Sequence, residues 1–224
     1  MKYLGIARSN VFRSLVVAAS LVCPGLAVAD GHLDVESELE GLPHRLQDSL
    51  MLHDRMRGLM EDHIVFTRCF IISVAHDLPD AGPTAGRLLS NQVDIGNTFA
   101  TYYGSAIGNR LTELLQEHIL IAADILVAAR AGDADAAAAA QAAWYVNGNE
   151  IADFLHRINP RNFRRGETRE MFKMHLDTTL VEAVARLTGD FDADLEAYDE
   201  VHHHMLEMAD FLSNGIIRQF PRRF

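Results

Sequence analysis

Glu150-Ile151-Ala152-Asp153-Phe154-Leu155 returns as Glu207-Met208-Ala209-Asp210-Phe211-Leu212, 57 residues later and without a gap. At the same shift Gly132-Asp133 returns as Gly189-Asp190, and His118 returns as His175. Two helical patterns around one Gly-Asp turn, written twice, predict a fold built from a copied helical hairpin.

Working outward from the repeat, every strongly periodic segment is helical and no alternating strand pattern stands out. A first helix is expected from about Leu46 to His76, with Leu59, His63, Phe66, Phe70 and Val74 on one stripe. Asp77 to Pro83 reads as a turn, and Thr84 as the cap of a second helix reaching Tyr103 that Gly96 weakens. The third helix starts between Gly104 and Gly108 and runs to Arg130, and the fourth ends at Asn159-Pro160, since a residue before proline avoids the helical region. A fifth covers about Thr168 to Thr188, and a sixth runs from Phe191 to about Arg218. The expectation is an all-α bundle of three repeated hairpins, at about 46–103, 105–158 and 168–218, within one domain spanning 45–221.

The N-terminal segment 1–29 reads as a signal peptide. Lys2, Arg8 and Arg13 precede an apolar run from Leu15 to Val28, and Ala27-Val28-Ala29 offers a cleavage site before Asp30. The run is short for a membrane span and is broken by Pro24-Gly25. The expectation is an exported, periplasmic protein with no membrane span after cleavage and a loose leader over 30–44. Removing three basic residues and no acidic ones leaves 17 minus 31, a net charge of −14. Such a chain repels nucleic acid and attracts cations. Cys69 is then the one cysteine left, which excludes an intramolecular disulfide. Phe66, Phe70 and Ile72 around it predict a buried, inert thiol.

Candidate site residues come from counting outward from the turns, because positions equally far from an antiparallel turn lie at one height. His118 and Asn147 each stand 14.5 positions from the middle of Gly132-Asp133, and His175 and His204 each stand 14.5 from the middle of Gly189-Asp190. His63 falls opposite the region of Asn91, Asp94 and Asn97. His63, Asn147 and His204 lie on apolar stripes, while Thr179 and Glu182 make the His175 stripe mixed. Polar groups buried in this way need partners, either one another or a ligand.

Neutral imidazoles facing inward in a bundle make metal sites for zinc, copper or iron. The expected site is therefore His63, His118, His175, His203 and His204 with Asp94 and Asn147, serving a metal ion or small molecule in a non-enzymatic protein. The competing reading is a structural or partner-binding bundle whose polar layer only sets helix register. Met205 and Met208 beside His204 suit copper, and also suit core filling. A ferritin-like di-iron enzyme is disfavoured: Glu200-x-x-His203 has the spacing of half such a site, but its counterparts one repeat earlier are Ala143 and Val146. No paired-cysteine haem motif or phosphate-binding glycine loop occurs. Arg157, Arg161, Arg164, Arg165 and Arg169 form a basic island that reads first as a solvated loop and second as an anion site.

Trp144-Tyr145 followed by Asn147, Glu150-Ile151-Ala152, the helix carrying His175, and Met208-Ala209-Asp210 with Gly215-Ile216-Ile217-Arg218-Gln219-Phe220-Pro221 resemble small bacterial helical proteins of undetermined function. The resemblance covers about residues 50–221 and is most specific in the last helix. Some of those proteins carry an automatic glycosyltransferase label, although transfer from a sugar nucleotide normally uses a Rossmann-like sheet. The resemblance implies an all-helical fold and no particular activity.

Overall fold

The computed structural model describes residues 42–224. The expected signal peptide and most of the leader lie outside the described residues. Six helices follow one another: α1 His44–Ala75, α2 Ala81–Tyr103, α3 Ser105–Ala131, α4 Ala134–Ile158, α5 Arg165–Thr188 and α6 Phe191–Gln219. The described residues contain no strand, so the protein is an all-α bundle.

Each helix packs mainly on its neighbours in the chain, and α1 packs on α6, so the six close into a ring. α1 also touches α3 and α5 across the interior. Successive helices run antiparallel, so α1, α3 and α5 run one way and α2, α4 and α6 the other.

The two Gly-Asp turns are built alike. Gly132 and Gly189 end α3 and α5 at φ 74° and 79°, a left-handed conformation that glycine adopts without penalty. The following Asp133 and Asp190 donate their N–H groups to Ala128 and Ala185 carbonyls, both at 3.0 Å. Their carboxylates then cap α4 and α6, accepting from the Ala136 and Ala193 N–H groups.

Two expected helix starts move outward. α2 begins at Ala81, so Thr84 is inside the first turn and does not cap it. α5 begins at Arg165, with Arg164 as its N-cap residue and no capping side chain. Gly96 is the closest point between α2 and α3, and that packing explains why the helix tolerates it. A Cβ there would sit 1.9 Å from Thr112 Oγ1, and one on Gly108 would sit 2.6 Å from the Gly96 carbonyl oxygen. Cys69 corrects the sequence reading, because it is exposed; the helix turns it outward while Phe70 and Ile71 enter the core.

The core is divided. One large apolar cluster includes Met56, Met60, Ile95, Phe99, Leu111, Ile151, Leu155, Phe172, Met205 and Met208. Two smaller ones form around Phe70, Ile71 and Leu126, and around Ile125, Trp144 and Leu176. A polar layer separates the large cluster from the small ones.

Candidate functional site: a buried histidine layer

The layer consists of residues at the middle of each helix. His63, His118 and His175, from alternate helices α1, α3 and α5, are 6%, 3% and 4% exposed. Their rings meet around His175, whose centroid lies 5.8 Å from that of His63 and 6.0 Å from that of His118.

One bond recurs in all three hairpins. Asn91 Nδ2 donates to the Leu59 carbonyl at 2.9 Å, Asn147 Nδ2 to the Leu114 carbonyl at 3.2 Å, and His204 Nε2 to the Met171 carbonyl at 2.9 Å. Leu59, Leu114 and Met171 each precede the hairpin's histidine by four residues, one helical turn. Asn91, Asn147 and His204 are therefore equivalent places, each tying the second helix of a hairpin to the first at the height of the histidine.

These bonds decide where the ring protons sit. Asn147 uses its amide nitrogen on Leu114, so its oxygen faces His118 Nδ1 at 2.8 Å and accepts a proton from it. The neutral His118 ring then carries a bare lone pair on Nε2, and that buried atom has no partner. Trp144 holds the ring from one face at 4.9 Å and donates its indole N–H to the His118 carbonyl at 3.0 Å. His63 Nδ1 lies 3.1 Å from Gln92 Nε2, an amide nitrogen that also meets the Leu88 carbonyl at 2.9 Å and Asn91 Oδ1 at 3.1 Å, so His63 joins a polar cluster on α2. Gln92 Oε1 is buried and unpartnered. His175 Nδ1 is held loosely, 3.5 Å from Thr179 Oγ1.

Burial makes charging these rings expensive. It lowers His63 and His118 from 6.5 to about 4, against weaker opposing bonds from Asn91 and Gln92, and from Asn147. His175 is lowered well below 6.5, by burial first and then by the neighbouring histidines. All three are neutral rings at physiological pH.

Two cavities of about 40 Å³ each flank the layer, and all three histidines line both. One lies toward the large cluster, walled by Met60, Gln92, Phe99, Phe172, Met205 and Met208 among others. The other lies toward the smaller clusters, walled by Phe70, Leu126, Trp144 and Thr179 among others. Each holds a few water-sized groups, at about 10–15 Å³ apiece. Among the described residues no carboxylate lines either one.

Other expected site residues fall elsewhere. His204 is buried at the layer's height but lines neither cavity; its Nδ1 is buried and unpartnered, 4.0 Å from Glu207. Asp94 is exposed, because three positions on from Asn91 the helix has turned toward solvent. His203 is also exposed and pairs with Glu207 at 3.4 Å. Among the described residues no three His, Cys, Asp or Glu side chains form a metal-binding group.

Gln92 is the residue of the candidate site that sequence reasoning missed. Its signal was its position: it directly follows Asn91 in the stretch opposite His63. Glu182, which mixed the His175 stripe, joins a buried ion cluster. Arg68 bridges Glu182 at 2.8 Å and Asp194 at 3.0 Å, and Arg186 also reaches Asp194. Burial pushes Glu182 up to about 7 even so, since Arg68 is shared with Asp194. In the basic island, Arg165 and Arg169 both clamp Asp153, while Arg161 and Arg164 line a surface hollow of about 300 Å³ with Arg218.

No protein family matches the chain, and comparisons with curated proteins and with solved structures find no match.

Proposed function

We propose that this chain is a non-enzymatic binding protein that holds a metal ion or small ligand within the bundle, among His63, His118 and His175. The observation that carries this reading is His118 Nε2. It is a buried lone pair, fixed in its tautomer by Asn147 and in its plane by Trp144, facing cavity space with no partner. A metal-binding histidine is prepared in this way, its other ring nitrogen donating to an oxygen that sets orientation and basicity. Leaving such an acceptor unsatisfied costs about 1–3 kcal/mol, which a ligand recovers.

The apolar walls and neutral rings supply no general acid or base ready at neutral pH, and this supports binding over catalysis. A second reading has its own observation. The three bonds to Leu59, Leu114 and Met171 carbonyls fix helix register by themselves, and water in the cavities would satisfy His118.

Elemental analysis and native mass spectrometry of the purified chain separate the two. A stoichiometric ion or bound mass that disappears in His118→Gln, with helicity retained, supports the ligand. A chain that carries neither, and gains no melting temperature from added zinc, copper or iron, supports the register layer.

A further inference from the structure

We infer that the ligand is monovalent copper, held between Nε2 of His118 and Nε2 of His175 with a thioether from Met60, Met205 or Met208 beside it. The inference rests on the ligand-site reading above and narrows it.

Charge selects the ion first. Among the described residues the cavity walls offer imidazoles, thioethers, one amide and the hydroxyls of Thr67 and Thr179, all neutral, with no carboxylate or thiolate to offset a cation. The cost of moving an ion out of water rises with the square of its charge, so a dication pays about four times the penalty of a monocation of the same size. Zinc and ferrous iron enter this site as uncompensated dications. Cuprous copper enters as a monocation.

Geometry points the same way. Two imidazoles on one metal, each at about 2 Å, have ring centroids about 5–6 Å apart. The His118–His175 separation is 6.0 Å. Structural zinc is almost always four-coordinate, whereas here the rings of His118 and His175 approach each other and the methionines on one side add only thioethers. Soft thioether sulfur selects cuprous copper. Three methionines line the cavity on one side of these rings.

The hydrogen bonds choose which pair of rings. His118 presents its lone pair as built. His175 is tied only by the 3.5 Å contact to Thr179, so its proton is free to sit on Nδ1 and expose Nε2. His63 is tied at Nδ1 to the Gln92 amide at 3.1 Å, within a cluster that includes Asn91 and the Leu88 carbonyl. His63, more firmly held than His175, is thus a wall of the site.

The test is an anaerobic titration of the purified full chain. Cuprous copper is supplied as its acetonitrile complex against bicinchoninate, and zinc in parallel against a chromophoric zinc chelator. One cuprous ion per chain is expected, lost in His118→Gln, with X-ray absorption showing sulfur directly bound to the metal. Replacing Met60, Met205 and Met208 together by leucine should weaken copper binding about tenfold or more. Leucine preserves volume, and should that variant misfold, the sulfur signal of the wild type decides alone. Stoichiometric zinc that depends on His118, with cuprous copper held no more tightly, overturns copper and leaves the ligand-site reading standing. Copper bound without sulfur overturns the thioether assignment. A chain that holds neither ion, and purifies with no bound mass, overturns both.

Discussion

His118 is held by three contacts, and each removes one freedom: Asn147 fixes the proton, Trp144 the plane and the α3 backbone the height. Asn147 serves two bonds at once. Asn147→Ala therefore orphans His118 Nδ1 and removes the second bond to the Leu114 carbonyl, which keeps its helical partner, and should cost about 2–4 kcal/mol in urea unfolding; a loss below about 0.5 kcal/mol would contradict the assigned network. Asp94→Ala, on the exposed face of α2, should change stability by no more than about 0.5 kcal/mol and leave ligand content unaltered. The two residues show what counting from a turn can reach. The short Gly-Asp turn made His118 and Asn147 legible as a pair. Across the longer connection of Asp77 to Pro83 the height was right to within a turn, but not the side, so Asn91 and Asp94 could not be separated. Gln92 was hidden for the same reason, and because its role depends on which end of its amide faces His63.

At the scale of elements, turns and close crossings decide where the layer lies. Asp133 and Asp190 each cap a helix, and Asp133→Ala should cost about 1 kcal/mol by loss of the bond to Ala136 N–H. The closest crossing is less forgiving. Gly108→Ala brings a Cβ against Ala100 and the Gly96 carbonyl, which are not flexible side-chain ends. Parting α2 from α3 would open the cavity that Gln92 and His118 line together, so this variant should lose both stability and ligand content, by circular dichroism melting and elemental analysis. Retention of both would mean the helices slide without cost. Helix existence was legible from periodicity throughout. The starts of α2 and α5 were not, since neither uses a side-chain cap. The tail Arg222-Arg223-Phe224 carried no readable signal, yet Phe224 is buried and its ring lies 5.5 Å from that of Tyr102.

For the whole molecule, the closed ring places three histidines from alternate helices at one height, and none of their rings charges easily. His63 and His118 titrate near 4 in the fold and near 6.5 unfolded, so the unfolded chain binds more protons between those values. Stability of the metal-free chain should be fully present above about pH 6.5 and fall as pH drops toward 4, by up to about 3 kcal/mol for each ring. Glu182, raised to about 7, acts in the opposite sense and offsets part of this loss. Urea unfolding at pH 7 and pH 5 should therefore show a large loss in the wild type and a smaller one in His63→Gln. Equal stability at both values would mean the rings are hydrated. Ring closure by α1 against α6 was not legible, because contact between chain-distant helices leaves no periodic trace.

The central claim is that the layer holds a ligand, and the most direct measurement is the metal content of the purified chain together with its melting temperature. One copper per chain is expected. Cuprous copper at about 100 times its dissociation constant should add about 2.7 kcal/mol to the apo chain, a rise of about 5–10 °C that His118→Gln abolishes. Content well below one ion per chain, with a melting temperature that copper, zinc and iron all leave unchanged, would contradict it.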